Sequence, residues 1–486
     1  MNTLEGHLPV CSPLHDILAP SGPTKRGYKA MVGLINGGYQ GHIYPINPKA
    51  DHILGVQAWP SLTEMPGCPE LALLCTPAAT VPALIAECGR RGVKGAVILA
   101  SGFGETGEAG AALEAQMMEA ARAHGVRIIG PNTSGMFNLH HQINLLALEN
   151  VKPGDIGIVS QSGNMLLSLA LEALHNGQVG FSTYVGPGNQ SDIGFNDYLR
   201  YLGEDEHTRV ATLYVEGFRD GQQFLKVARD VTAMKPVVVY KSGATEQGQK
   251  AASSHTGALA GSYQMTVDLL RQAGVSVMQY SDEILPVAEG LGRLQKAPGK
   301  RVAVISDGGG QATIAADRLS EAGLTLLASC IELVMADEGV DSVFLVGMFG
   351  GYSLRFAESL MGVEMRGAER MVELAQASEK PLVIYSLYAP IKPPALRRLH
   401  EAGLPVYSSI EHAVRVLAAL GERGEYLAIQ QAQETIAPAA PTETGRAMFA
   451  AAKAEGRDLL EFEAKSLLAE HGIAVPEEWL VRREDE

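Results

Sequence analysis

Short runs of Val, Ile and Leu alternate with longer stretches of helical spacing from about residue 27 to residue 420. This alternation predicts βαβ units, with parallel sheets covered by helices. In the first part of the chain, His42–Ile46, Leu71–Cys75, Gly95–Ala100 and Val126–Ile129 read as strands, and Val81–Arg90 and Ala109–Ala123 as helices. A second series, Ile156–Val159, Phe181–Val185, Val210–Val215 and Val237–Tyr240, opens at Gly154. A third, Val302–Ile305, Ser342–Val346, Leu382–Tyr385 and Val406–Tyr407, opens at Lys300. The longest apolar stretch, Leu71–Ala86, is broken by Pro77 and Pro82 and reads as strand, turn and helix, so no membrane span is expected.

One unit recurs: a strand, a turn of small residues and a helix. Asp155–Val159 leads through Ser160, Gln161, Ser162 and Gly163 into Asn164–His175, and Arg301–Ile305 leads through Asp307–Gly310 into Gln311–Ser320. Such turns leave backbone N–H groups unpaired at a helix N-terminus, where the dipole favours phosphate or another anion; an ordinary tight connection is the alternative. A different loop follows Pro236–Lys241. There Ala251–Gly261 sets His255 among mostly small residues, with no bulky side chain beside it. Small residues let a backbone or a phosphate come close, and a neutral imidazole nitrogen can attack phosphorus and hold it as phosphohistidine. The plainer alternative is a histidine that caps a helix or bonds a carbonyl.

The 486 residues are too many for one core and suggest about three to four domains. Lys and Arg number 39 against 54 Asp and Glu, a net charge of −15 that argues against extended nucleic-acid or anionic-membrane surfaces. Cys11, Cys68, Cys75, Cys88 and Cys330 show neither a CxxC pair nor metal-ligand spacing, so neither a disulfide framework nor a structural metal is expected, and a reducing cytoplasm fits. No Lys or Arg precedes Lys25, unlike the charged start of a signal peptide.

The string Lys241-Ser242-Gly243, with Ser253–Gly261 around His255, closely resembles the active-site loop of ADP-forming acyl-CoA synthetases, relatives of succinyl-CoA synthetase. Tyr44–Lys49, Gly130–Asn132, Ser160–Gly163, Gly188–Asp192 and Tyr214–Gly217 resemble further motifs of that family, in its order, over most of residues 27–426. The resemblance implies conversion of a carboxylic acid, ATP and CoA into acyl-CoA, ADP and phosphate through an acyl phosphate and a histidine relay. It makes His255 the phosphorylated residue, Glu216 the carboxylate that orients the imidazole, and Ser160, Gln161, Ser162 and Gly163 the turn that receives the phosphoryl group. Mg2+ is expected with ATP or ADP.

For CoA, Lys49 stands where a strand ends at Asn47-Pro48, and relatives use the matching lysine for binding; an exposed, solvated lysine is the alternative. Thr76, Pro77, Ser101 and Gly102 follow later strand ends, where open α/β sheets bind ligands. Relatives place the loop of Asn132 near the thiol and acyl group. Its amide would polarise the acyl carbonyl, or else make a local turn bond.

The expected architecture is α/β: a Rossmann-like CoA-binding domain (1–150), then two flavodoxin-like, succinyl-CoA synthetase-like parallel-sheet domains (151–297 and 298–426), a linker (427–457) and the beginning of an ATP-grasp domain (458–486). Three departures from the family stand out. Ile17-Leu18-Ala19-Pro20 runs straight into Ser21–Arg26, leaving no room for an apolar strand and glycine turn before Gly27–Asn36. The segment after Leu324–Leu327 lacks an Asn-Pro-Val-Asp-type motif. The body of the ATP-grasp domain is absent, so the nucleotide site is expected on an ATP-grasp domain or subunit, within an oligomer. These departures keep a second class in play, a non-catalytic CoA- or acyl-CoA-binding regulatory or degenerate relative, although such a module needs no His255 with Glu216. A nicotinamide dehydrogenase is disfavoured, because no intact G-x-G-x-x-G follows the first strand.

Overall fold

The computed structural model describes residues 16–20, 26–146, 148–176, 179–248, 262–294, 296–322, 324–328, 331–432 and 442–476. The chain divides into two units, Met1–Gln430 and Gln431–Glu486. In the first unit the strands are β1 (Asp16–Pro20), β2 (His42–Ile46), the hairpin β3 (His52–Ile53) and β4 (Val56–Gln57), β5 (Leu71–Leu74), β6 (Gly95–Ile98) and β7 (Arg127–Ile129). There follow β8 (Met136–Asn138), β9 (Ile143–Asn144), β10 (Pro153–Ser160), β11 (Phe181–Val185), β12 (Val210–Val215), β13 (Val237–Lys241) and β14 (Ser276–Met278). The last are β15 (Arg301–Ser306), β16 (Thr325–Ala328), β17 (Ser342–Gly347), β18 (Leu382–Ser386) and β19 (Val406–Tyr407).

They form three main sheets, ordered β2-β1-β5-β6-β7, β14-β13-β12-β10-β11-β8-β9 and β16-β15-β17-β18-β19. Setting aside the hairpin and the antiparallel extension β8-β9, each sheet puts its first strand between its second and third. In this doubly wound order the chain reverses direction across the sheet beside the first strand, and ligands bind at the carboxyl ends there. The expected α/β architecture of parallel sheets is therefore present three times. Strands β5, β6, β11 and β18 are buried along their whole length, as strands covered on both faces must be. The covering helices bury one stripe each; Val81–Arg90, for example, turns Val81, Ile85 and Cys88 inward.

Three sequence expectations change. The first sheet has the strand expected to be missing: β1 pairs in parallel with β2 (Ile17↔Ile43) and with β5 (Ile17↔Leu71). Pro20 is the last residue of that strand. The glycine turn, expected to be missing with the strand, would fall on residues 21–25, outside the described residues. Second, β8 and β9 belong to the second sheet, where β8 runs antiparallel to β11 and to β9, so that sheet draws on residues before 150. Third, the range expected as linker holds a helix, Glu443–Ala454, and the helix Ile410–Ala432 runs into it from the other side. In the second unit, Thr442 Oγ1 accepts from Gly445 N (2.9 Å) at the start of Glu443–Ala454, and Arg457 pairs with Glu463 (2.8 Å) beside the helix Glu461–Glu470.

The second and third sheets share one apolar core, in which Val210 and Ile284 join Phe344 and Leu417. The helix Ile410–Ala432 fastens them, with Arg423 donating to the Thr232 carbonyl (3.0 Å) and Tyr426 Oη lying 3.1 Å from Thr232 Oγ1. Gly424 sits where a Cβ would overlap the Ala297 carbonyl oxygen, a backbone atom with no room to give. Gly424→Ala is expected to lower stability by about 1–3 kcal/mol; a melting temperature equal to that of the unsubstituted chain would disprove the close fit.

Candidate functional site

In the second sheet, β10 and β12 are neighbours at the reversal point, with Ser160 opposite Tyr214. Ser160 is buried; its Oγ donates to the Ser162 carbonyl (2.8 Å) and accepts from Ser162 N (3.2 Å), which folds the chain sharply at the strand end. Ser162 Oγ accepts from Met165 N (3.3 Å), and the helix Gly163–Asn176 begins. Gln161 crosses to the next strand: its Oε1 accepts from both Glu216 N (2.5 Å) and Gly217 N (3.2 Å), while its own N–H donates to the Tyr214 carbonyl (3.2 Å). Ser160, Gln161, Ser162, Gly163 and Glu216 thus form one site.

Strand β13 lies on the other side of β12, with Lys241 opposite Val215. Lys241 Nζ donates to the Glu216 and Ser242 carbonyls (2.8 and 2.6 Å). Burial lowers the Lys241 pKa, and the Glu216 charge opposes that fall, so a cation and a carboxylate share the edge of the turn. His255 falls outside the described residues. The strand that leads toward it, β13, ends beside Glu216.

The candidate CoA residues follow the carboxyl ends of the first sheet. Lys49 comes after β2, is exposed, and its N–H donates to Asn47 Oδ1 (2.9 Å). Thr76 and Pro77 come after β5, where the Thr80 hydroxyl reaches Thr76 Oγ1 (3.0 Å) and the Pro77 carbonyl (2.8 Å). Cys75, just before them, is pushed up to about 12 by burial, against the pull of Arg26, so its thiol is neutral and is no nucleophile at pH 7. Ser101 and Gly102 come after β6, but the Gly102 N–H is already given to Glu105 Oε1 (2.6 Å). Asn132 takes a left-handed backbone (φ 57°), donates from its N–H to the Ala100 carbonyl (2.8 Å), and holds its side-chain amide 3.5 Å from Asn189 Oδ1.

The loop after Asn132 joins the two groups. A Cβ on Gly163 would stand 3.1 Å from Ser134 Cβ, so the glycine at the helix start is what allows the first domain's loop to lie against the turn. Thr133 is buried with its hydroxyl bonded to the Gly186 carbonyl, and Ser134 Oγ meets Tyr184 Oη at 2.6 Å. Residues that carried no role in the sequence reading close this junction. Asn189 donates to Glu105 (2.6 Å) and Glu114 (3.1 Å), Ser191 donates to Glu114, and Arg127 pairs with Asp192 (2.8 Å). The motif Gly188–Asp192 pointed to one side of it; nothing in the local sequence around Glu105 and Glu114 marked the other.

The third sheet repeats the turn. Ser306 Oγ donates to the Gly308 carbonyl (3.0 Å) and accepts from Gly308 N (3.2 Å), and Asp307 accepts from Met348 N (2.9 Å) across to β17. Ser306 pairs with Val346 as Ser160 pairs with Tyr214, so Met348 occupies the place of Glu216 and the carboxylate beside the turn is not repeated. Among the described residues, no group of His, Cys, Asp and Glu could hold a metal ion, and no helix is long and apolar enough to cross a membrane.

Doubly wound sheets whose turns open helix N-termini at the reversal point occur in many nucleotide- and cofactor-binding α/β proteins, and the known proteins that this chain resembles narrow the class to CoA ligases. Residues 17–138 match the CoA binding domain family, and residues 153–291 match the succinyl-CoA ligase like flavodoxin domain. The alpha subunit of acetate–CoA ligase [ADP-forming] I from Pyrococcus furiosus is 35% identical over 434 residues, covering 83% of this chain and 94% of that protein. Acetate–CoA ligase [ADP-forming] I of Archaeoglobus fulgidus is 32% identical, covering 95% of this chain and 70% of that protein. The solved acetyl-coenzyme A synthetase 1 of Candidatus Korarchaeum cryptofilum, in complex with phosphate and ADP, superposes with a TM-score of 0.76 at 25% identity, covering 89% of this chain and all (100%) of that one. The chain belongs to the ADP-forming acyl-CoA synthetase (acetate–CoA ligase) family, whose members are acid–thiol ligases. The binding-only alternative is not favoured.

Burial works to raise the Glu105 pKa, but the bond from Asn189 and those from the Gly102 and Phe103 amides outweigh it and hold the carboxyl below the usual glutamate range. A depressed folded pKa stabilises above the ordinary value and is lost as pH falls through the folded one. Glu105→Gln is therefore expected to melt below the unsubstituted chain at pH 7, with the gap closing as pH falls below about 4. A gap that is constant with pH would contradict the assignment.

Proposed function

We propose that this chain carries the CoA-binding and phosphoryl-relay steps of an ADP-forming acyl-CoA synthetase, working with an ATP-grasp domain or subunit in an oligomer. In the synthetic direction His255 takes the γ-phosphoryl group of ATP, releasing ADP, and passes it to the carboxylate of the acid to form an acyl phosphate. The CoA thiol then attacks the acyl carbon, and phosphate leaves. Mg2+ bound with the nucleotide would screen its phosphate charge.

The chain's own residues divide this work. The amide at Gly163 opens a helix N-terminus toward the phosphoryl group, and Lys241 adds a nearby cation. Glu216 orients the imidazole and stabilises its charged, phosphorylated form. Lys49, Thr76, Pro77, Ser101 and Gly102 bind CoA along the first sheet, with Asn132 at the thiol end. The observation that carries the reading is the Gln161 bridge, which ties the anion-accepting turn to Glu216 at the reversal point of the sheet. A cytoplasmic setting suits a protein that uses ATP and CoA and whose cysteines Cys68, Cys75 and Cys88 are free thiols.

The test is to incubate the full chain with labelled ATP, Mg2+ and a separately supplied ATP-grasp subunit of the family. Acid-labile, base-stable label on His255 is expected, with none on His255→Asn. Glu216→Gln is expected to slow labelling by about 10–150-fold, the worth of a hydrogen bond to a charged group. Label of the same stability that persists in His255→Asn would overturn the relay.

A further inference from the structure

The connection from β12 to the helix Gly221–Met234 begins at Glu216 and ends at Asp220. Its near end is fixed by the Gln161 bridge to the Glu216 and Gly217 N–H groups. At its far end Asp220 Oδ1 accepts from Gln223 N (2.9 Å) and caps the helix. Between the two, Phe218 packs on Phe224, with ring centroids 4.3 Å apart, and on Phe195 at 5.8 Å. Neither the sequence motifs nor the relay assign a role to the remaining residue, Arg219, which is exposed.

Arg219 turns back onto the protein. Its Nη1 donates to the Gln190 carbonyl (2.7 Å), and its Nη2 stands 3.9 Å from Glu114 Oε1. A loose ion pair on an exposed side chain contributes little. The bond to Gln190 differs in kind, because a charged donor meets the carbonyl of a buried residue held in a left-handed backbone (φ 56°). Gln190 is also a firm anchor. Asn189 N donates to the Pro131 carbonyl (2.9 Å) and Ser191 N to the Gly130 carbonyl (3.1 Å), so both its neighbours are tied to the loop of Asn132. Its own Oε1 accepts from Phe195 N (3.3 Å). Movement of the connection is therefore opposed from two directions: by Gln161 within the second domain, and through Arg219 by a loop pinned to the first. The ring contacts of Phe218 have no such directionality, and Asp220 fixes only the helix start.

We propose that Arg219 is a positioning residue for phosphoryl transfer: its bond to the Gln190 carbonyl holds the connection that carries Glu216 and registers that carboxylate against the loop of Asn132. In this role Arg219 acts through Glu216 and needs no contact with the phosphoryl group. The inference rests on the relay reading of Glu216.

A double-substitution cycle tests it, read as the rate at which the full chain takes label at His255 from ATP, Mg2+ and the ATP-grasp subunit. Arg219→Met keeps an unbranched stem and loses the donor, while the Phe218 contacts and the Asp220 cap retain the fold. It is expected to slow labelling by about tenfold, the low end of the worth of a hydrogen bond to a charged group. In a Glu216→Gln chain the same substitution is expected to cost less than about twofold, because the carboxylate that it positions is already gone. A merely structural residue would slow both chains alike. Arg219→Lys, which keeps a cationic donor, is expected to recover most of the rate. Hydrogen exchange at Glu216 and Gly217 is expected to speed up in Arg219→Met. Equal losses in the two backgrounds, no loss in either, or unchanged exchange in Arg219→Met overturns this inference and leaves the relay in place. Label missing already from the unsubstituted chain overturns the relay reading and this inference with it.

Discussion

The side chain of Gln161 holds together the ends of β10 and β12, the two strands at the reversal point of the second sheet. Its oxygen takes the N–H groups of Glu216 and Gly217, which stand just past the end of β12 and have no strand partner left. Leaving such amides unmet costs about 1–3 kcal/mol, so the bond fixes where the chain turns after β12 and hence where the Glu216 carboxylate is placed. Ser160 does the complementary work at the end of β10, clasping Ser162 through both its carbonyl and its N–H. The third sheet uses the same clasp at Ser306 but bridges with Asp307, a carboxylate that brings its own charge to the turn. The same backbone device therefore carries a neutral bridge in one sheet and a charged one in the other, and only the neutral one lies beside a glutamate.

The constraint extends into the first domain through contact between backbones. Gly163 lets Ser134 lie against the helix start, and Gly188, with φ 56°, has room for no side chain because the Pro131 carbonyl is already there. From Gly130 to Ser134 the chain passes from the edge of the first sheet to the turn of the second. Asn189, Glu105, Glu114 and Asp192 add charged and amide hydrogen bonds at this junction to an apolar core that the first and second sheets share, in which Leu71 and Ile129 join Val159 and Leu213.

Much of this could be read from the chain. Strands such as Phe181–Val185 and Val210–Val215 are rich in aromatic and β-branched residues, and the helix Val81–Arg90 has its apolar residues on one stripe; all three match their expected bounds. The turn Ser160–Gly163 was legible because serine and glycine between a strand and a helix have few other uses. What escaped notice lacked a local signal. The strand Asp16–Pro20 is five residues long and ends in proline, so only its neighbours β2 and β5 reveal it. The short strands Met136–Asn138 and Ile143–Asn144 depend on the edge of β11 for their pairing. Glu105 and Glu114 look like ordinary helix-start and helix-face acids; their role comes from Asn189 and Ser191, some 75 to 84 residues away, which no local pattern records.

The central claim is that the Gln161 bridge sets the geometry for phosphoryl transfer, and the rate of transfer from ATP to the full chain in a Gln161→Met protein tests it most directly. The side chains are similar in size, so the fold is retained while the acceptor for Glu216 N and Gly217 N is lost. A fall of roughly 5–150-fold in the rate, in a chain that still folds but is less stable by about 1–3 kcal/mol, is the predicted result. Transfer at the original rate would show that Glu216 and the turn are positioned by something else.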